Sequence, residues 1–197
     1  MHHHQDYYPD SLNLHQVHGH LIHIDRPPYS LDQTKPFKKR YEGSCFCKKV
    51  QFDIATDAPL DAKFCHCPTC QKLHGAPFQW AAIVEKNDVH FTSGKDQLIF
   101  WNSEEKSQEY HLPCKVSCNN CRTPIMDEGK NMLMLFPTLI HFKNSEDQRK
   151  FYPTCHIFYA SRAMDIKDGL PKFEKHKGSS PEIPETWSSE KDDTALN

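Results

Sequence analysis

Seven of the chain's nine cysteines lie in three short groups: Cys45-Phe46-Cys47, Cys65-His66-Cys67-Pro68-Thr69-Cys70 and Cys118-Asn119-Asn120-Cys121. Thiols so spaced are suited to ligate a metal. On a strand, residues i and i+2 share a face, so Cys45 with Cys47, and Cys65 with Cys67, each project two sulfurs the same way. Pro68-Thr69 turns the chain back and offers Cys70 as a third. Cys118-x-x-Cys121 is the knuckle spacing in which a tight turn aims both sulfurs inward. Four sulfurs close a tetrahedral zinc, whereas three leave a position open for water or a substrate thiol. The expected allocation is Cys45, Cys47, Cys118 and Cys121 for a closed structural site and Cys65, Cys67 and Cys70 for an open one, two zinc ions per chain. Spacing alone also allows other pairings, Cys114 included, or one zinc with spare buried thiols. Cys114 and Cys155 read as small buried apolar side chains.

Disulfides explain the pattern less well. Two cysteines one residue apart do not easily bridge each other, and the total is odd. The first residues lack the charged start, apolar middle and small-residue cleavage site of a secretory leader. The expectation is a cytoplasmic protein, with the nucleus as a second compartment, where thiols stay reduced. No apolar run approaches the roughly 20 residues of a membrane span. The formal net charge of -2 opposes nucleic-acid binding. Lys35, Lys38, Lys39 and Arg40 form the one notable basic cluster.

Around the cysteines the pattern is mostly strand. Val50, Phe52 and Ile54 alternate with polar residues, Trp80 to Val84 is a short apolar run, and Val89 and Phe91 alternate before a Ser93-Gly94 turn. Further strands are expected at Leu98 to Asn102, at Tyr110 and Leu112, at Met132 to Phe136, and at His156 to Tyr159. A short helix is expected over 145–151 with Ser145 as N-cap, and a turn at Asp168-Gly169. These elements fit one zinc-binding, mainly β domain over residues 37–178. Residues 1–36, rich in His and Pro, read as an extension with a short strand near Leu21 to Ile24 and a loose metal tract at His18, His20 and His23. Residues 179–197 read as a disordered tail.

The blocks GSCFCKKVQF at 43–52, CHCPTCQKLHGAPF at 65–78, CNNCRTPI at 118–125 and DGLPKF at 168–173 resemble the glutathione-dependent formaldehyde-activating family, which also includes centromere protein V. The resemblance implies a single-domain, zinc-binding β-tent type fold and carbon–sulfur lyase activity. It also implies the same partition of ligands, with Cys65, Cys67 and Cys70 at the catalytic zinc. The chain departs from the family at Lys48 and Arg122, where glycine is usual, and glycine reaches positive φ far more readily than either.

The function that follows is a zinc-dependent carbon–sulfur lyase acting on glutathione or a related thiol adduct. A three-thiolate zinc favours the ionised thiol, which attacks formaldehyde. His74 is the candidate proton carrier. Lys72 and Arg122, with Arg162, are candidates to pair with glutathione carboxylates, and Phe78, with Trp80, to wall a pocket. The plainer readings of these residues are a core-edge histidine, solvated charges and core packing. His66, between two ligands, points away from the metal. Two other classes compete. One is a zinc-stabilised protein-interaction module without catalysis. The other is association with chromatin, which rests on the basic cluster. The partner expected is a small thiol such as glutathione, with no membrane; the sequence sets no oligomeric state.

Overall fold

The computed structural model describes residues 36–184. The expected N-terminal strand, the His tract and most of the expected tail lie outside them. Ten strands are described: β1 (Tyr41–Ser44), β2 (Gln51–Ile54), β3 (Asp61–Cys65), β4 (Gln79–Glu85), β5 (Val89–Ser93), β6 (Leu98–Trp101), β7 (Cys114–Cys118), β8 (Pro124–Glu128), β9 (Met132–Leu135) and β10 (Cys155–Ile157). Two helices accompany them, α1 (Pro68–His74) and α2 (Ser145–Arg149). The strands form a three-stranded sheet, β1-β2-β5, and a seven-stranded sheet, β10-β3-β4-β9-β8-β7-β6. Every strand pair is antiparallel except β10 with β3. The fold is therefore mainly β and single-domain, as expected. No helix among the described residues is long and apolar enough to cross a membrane.

One apolar cluster joins the two sheets. From the small sheet it takes Phe52, Ile54, Val89 and Phe91, and from the large sheet Ala62, Ala82, Leu135, Met126 and Val116. Phe52 and Phe91 meet across β2 and β5 with ring centroids 5.9 Å apart, and burying each ring contributes about 1.5–3 kcal/mol. Residues directly opposite one another on neighbouring strands share a face, and the register divides the large sheet accordingly. Ala62 faces Ala82, Ala82 faces Leu135, and Leu135 faces Met126, all in the core. The other face carries Cys65 opposite Gln79, then Ile83, Met134, Asp127 and Lys115 in successive pairs.

Several local expectations change. Cys45 and Cys47 sit in the turn between β1 and β2, not on a strand. Cys65 ends β3, and Cys67 caps α1, its sulfur accepting from the Cys70 N–H at 3.3 Å. That helix is missing from the sequence reading. Its signals are Pro68 at the first turn and Gly75, which closes it in the left-handed region at φ 58. Tyr110 and Leu112 are outside any strand. Pro113 lacks an N–H for a ladder, and Tyr110 packs on Phe100 while its hydroxyl donates to Glu128 at 2.8 Å. Asn102 lies beyond β6 and accepts from the Glu104 and Glu105 N–H groups. The cap of α2 is Asn144, which accepts from the Asp147 N–H. The last strand is Cys155–Ile157, followed by a single helical turn at Tyr159–Ser161. Hydrogen bonding continues past Gly178, with Glu182 opposite Phe173 and the Ile183 N–H donating to the Lys172 carbonyl.

Lys48 and Arg122 both adopt φ 62. Each follows a cysteine turn, with the Lys48 N–H donating to the Cys45 carbonyl and the Arg122 N–H to the Cys118 carbonyl, both at 2.9 Å. An L-residue in the left-handed region costs about 1–2 kcal/mol, partly offset for glycine by its larger entropy loss on folding. Lys48→Gly and Arg122→Gly are therefore expected each to raise stability by about 0.5–1 kcal/mol, read as a higher midpoint in denaturant unfolding of the metal-loaded protein.

Candidate metal centres

Two cysteine clusters have the geometry to hold a metal ion. Cys45, Cys47, Cys118 and Cys121 form one, and Cys65, Cys67 and Cys70 the other; within each, the sulfurs all lie within 4.8 Å of one another. A tetrahedral zinc with Zn–S of about 2.3 Å sets sulfurs about 3.8 Å apart. The Cys45 and Cys47 sulfurs are 3.5 Å apart and those of Cys47 and Cys118 are 3.8 Å apart, so this donor set fits.

The four-cysteine cluster joins the β1–β2 turn to the β7–β8 turn. The Phe46 N–H donates to the Thr123 hydroxyl at 3.2 Å, and the Lys49 ammonium to the Asn120 side chain at 3.1 Å. Burial pushes the Cys45 thiol up to about 12. The Lys49 N–H and the Asn120 amide hold Cys47 below its ordinary value. Burial opposes ionisation of Cys121, but Thr123 and N–H donors outweigh it and bring that thiol to about 5. Turns that already solvate thiolates with N–H groups are turns prepared for a cation.

The three-cysteine cluster is more deeply placed, with all three residues buried. Sulfur contacts from Cys65 and Cys70 lower the Cys67 pKa and raise those of its two neighbours. One thiolate is thus held by two thiols, and a divalent cation would displace both protons. A polar chain runs from His66, buried except at the part-exposed Asp168. The His66 Nε2 and His156 Nδ1 atoms are 2.8 Å apart, the His156 Nε2 and Asp168 Oδ2 atoms are 2.8 Å apart, and the Lys172 ammonium donates to Asp168 Oδ1 at 3.0 Å. Burial holds His66 neutral, lowering it to about 4. The Gln71 amide donates to the His66 carbonyl at 2.6 Å and fixes the turn that carries the cysteines. The DGLPKF block has a physical role here: Asp168 and Lys172 end the chain, and Pro171 accepts the His156 N–H.

The structure places the other residues singled out in the sequence as follows. His74 is half-buried against Phe136, ring centroids 4.9 Å apart, and burial lowers its pKa against attraction from Asp127. His74 ends α1, the same seven-residue helix that carries Cys70. Lys72 is exposed on α1. Arg122 belongs to the four-cysteine turn, where its guanidinium donates to Asn119. Phe78 packs on Phe64 and His66, 4.8 and 5.2 Å away, and Phe64 points opposite to Cys65 along β3. The Trp80 indole donates to the Phe151 carbonyl on the core side. Arg162 pairs with Asp165 and lies over Tyr159. Cys114 is in the main core and Cys155 packs beside the three-cysteine cluster, neither among its ligand atoms. Of the basic cluster, Lys39 pairs with Glu42 and Asp53 and Arg40 with Asp57, and Lys35 lies outside the described residues.

Sequence reasoning missed Lys115, Asp127 and Gln79. Lys115 and Asp127 form an ion pair, side chains 14% and 6% exposed, and the Gln79 amide donates to Asp127 Oδ2 at 3.3 Å. Burial opposes the Lys115 charge, yet Asp127 and the Cys70 and Cys67 sulfurs hold its pKa above the ordinary lysine value. Breaking such a pair from one side costs about 3–5 kcal/mol. The available signal was opposite charges at matching places on the two arms of the Cys114–Glu128 hairpin.

A family model described as glutathione-dependent formaldehyde-activating enzyme matches residues 40–161. A solved structure of a Rhodobacter sphaeroides protein is 17% identical, with a TM-score of 0.42 over 54% of this chain and 93% of that one. A search of curated proteins found no match.

Structural zinc in small sites contributes on the order of 10 kcal/mol. Cys118→Ser, at the tie between the two turns, is expected to unfold or precipitate the protein. Cys70→Ser is expected to keep the fold and lose one metal per chain, checked by circular dichroism with metal analysis.

Proposed function

The chain belongs to the glutathione-dependent formaldehyde-activating enzyme family, and we propose that it is a carbon–sulfur lyase joining glutathione, or a related thiol, to formaldehyde and reversing that step. The observation that carries this reading is the buried three-cysteine cluster: three sulfurs leave one position of a tetrahedron free, beside a polar patch of Gln79, Asp127 and Lys115. We assign one zinc to each cysteine cluster, the four-cysteine one structural.

In the open site Cys65, Cys67 and Cys70 would hold the ion, which when bound favours the ionised form of a thiol ligand and so supplies a nucleophile near neutral pH. The chain's own residues supply the rest. The β3–α1 turn, braced by His66, His156 and Asp168, fixes where the incoming sulfur sits. Ala81, Met134 and Phe136 form an apolar cluster on that face of the sheet and exclude water. His74, kept neutral by burial, offers a hydrogen bond rather than a charge. The thiol sulfur attacks the carbonyl carbon, the C–S bond forms, and the oxygen takes a proton to give the hydroxymethyl adduct. Exposed Lys72 on α1 is the candidate partner for a glutathione carboxylate. Thiol ligands in both sites call for a reducing compartment, which supports a cytoplasmic location.

Glutathione is expected to bind at least 10-fold more tightly than its S-methyl analogue in calorimetric titration. NMR is expected to show catalysed exchange between formaldehyde and the hydroxymethyl adduct. Equal binding of the two compounds contradicts a sulfur contact at the open site. Absence of any binding favours the interaction module instead.

A further inference from the structure

The proposed reaction moves one proton from sulfur to oxygen, and the face that carries the three-cysteine cluster holds a group placed to carry it. Asp127 lies on β8, opposite Lys115 on β7 and Met134 on β9, on the face that also presents Cys65 and Gln79. Its Oδ2 is engaged by the Lys115 ammonium and the Gln79 amide. Its Oδ1 is fully buried and has no hydrogen-bond partner among the described residues. A buried carboxylate oxygen left unpaired is costly, and a ligand that donates to it recovers that cost. Gln79, which donates to Asp127 at 3.3 Å, lies directly opposite Cys65 across β3 and β4. The carboxylate and the sulfurs thus share one neighbourhood.

We propose that Asp127 Oδ1 is the proton carrier of the reaction, taking the thiol proton when substrate binds and returning it to the new hydroxyl. This rests on the lyase reading. In the forward direction the S–H bond breaks and the proton moves to Oδ1. The sulfur lone pair forms the C–S bond, the carbonyl π pair moves onto oxygen, and that oxygen takes the proton from Oδ1. The reverse reaction retraces these steps. Nothing is oxidised or reduced, and no further reactant is consumed.

The charge balance favours this placement. Three cysteinates and a substrate thiolate would give a divalent cation site a net charge of about -2, of which Lys115, paired with Asp127, offsets one unit, and the remaining negative charge favours keeping the thiol proton within the site. The groups that touch Asp127 are Lys115 on β7 and Gln79 on β4, and the nearest titratable groups beyond them on this side are His74 on α1 and the three sulfurs. Lys115 stays charged, glutamine does not titrate, and burial disfavours the imidazolium of His74. Asp127 is the acceptor that remains.

The test uses the zinc-loaded full chain with glutathione and formaldehyde. Calorimetry at pH 7 in buffers of different ionisation heat counts protons released on glutathione binding. The wild type is expected to release about none, so its affinity stays flat between pH 6.5 and 8, and His74→Gln is expected to give the same proton count. In Asp127→Asn the count is expected to rise to about one, with zinc content unchanged and adduct exchange slowed about 100-fold or more. Lys115→Gln combined with Asp127→Asn removes the unpaired lysine and is expected to behave likewise. Release of a full proton by the wild type, with affinity rising about tenfold per pH unit, overturns the proposal whatever the variants do. Wild-type exchange rates in either folded variant also overturn it. A wild type that binds no glutathione overturns the lyase reading and this one with it.

Discussion

Seven cysteine sulfurs are crowded into two small spaces, and the rest of the structure depends on that crowding being neutralised. Several thiolates within 4.8 Å of one another repel, and thiols so packed lose the contacts that water would give them. A divalent cation at the centre of each group would remove both costs. The four-cysteine group also joins parts of the chain far apart in sequence, since Cys47 and Cys118 are 71 residues apart. It ties a hairpin turn of the small sheet to one of the large sheet, where the apolar core meets them. Loop-closure entropy makes such a tie more effective the longer the loop it closes. The left-handed Lys48 and Arg122 lie in the same two turns, and the cysteine geometry holds them there.

The second constraint is the alternation of the large sheet. One face is apolar and packs on the small sheet; the other carries Cys65, Gln79, Asp127 and Lys115. Asp127 and Glu128 are neighbours in sequence and both are buried, yet they face opposite ways. Glu128 turns to the core side and accepts from Lys86 and Tyr110 at 2.8 Å. Asp127 turns to the three-cysteine side. A structural carboxylate and a candidate functional one are thus separated by a single step along β8.

The mainly β architecture was legible because period-two alternation is a local pattern; ligand spacing singled out the seven cysteines but left their partition open, and the family resemblance supplied the division into the two clusters. The way in which Cys45 and Cys47 pair was not legible. These two sulfurs converge through a tight turn after β1, and no strand is involved. The helix α1 is only seven residues long, too short to show a helical period, so its cap signals alone announced it. Phe78 and Arg122 looked close to the open site because they adjoin the motifs in sequence. Alternation along β3 sets Phe78 with Phe64, and the knuckle keeps Arg122 at the other cluster. Lys115 and Asp127 were hidden for the converse reason. In a strand reading Cys-Lys-Val-Ser-Cys, the lysine looks like the solvent side, and only pairing with β8 shows that this side is buried.

The central claim is that a substrate sulfur completes the three-cysteine site. X-ray absorption at the zinc edge tests it most directly on the metal-loaded protein. Zn–S contacts at about 2.3 Å are expected, averaging about 3.5 sulfurs per zinc over a four-sulfur and a three-sulfur site, and rising to about 4 with saturating glutathione. A sulfur number that stays unchanged on adding glutathione would contradict the account, as would a zinc bound mainly by nitrogen or oxygen.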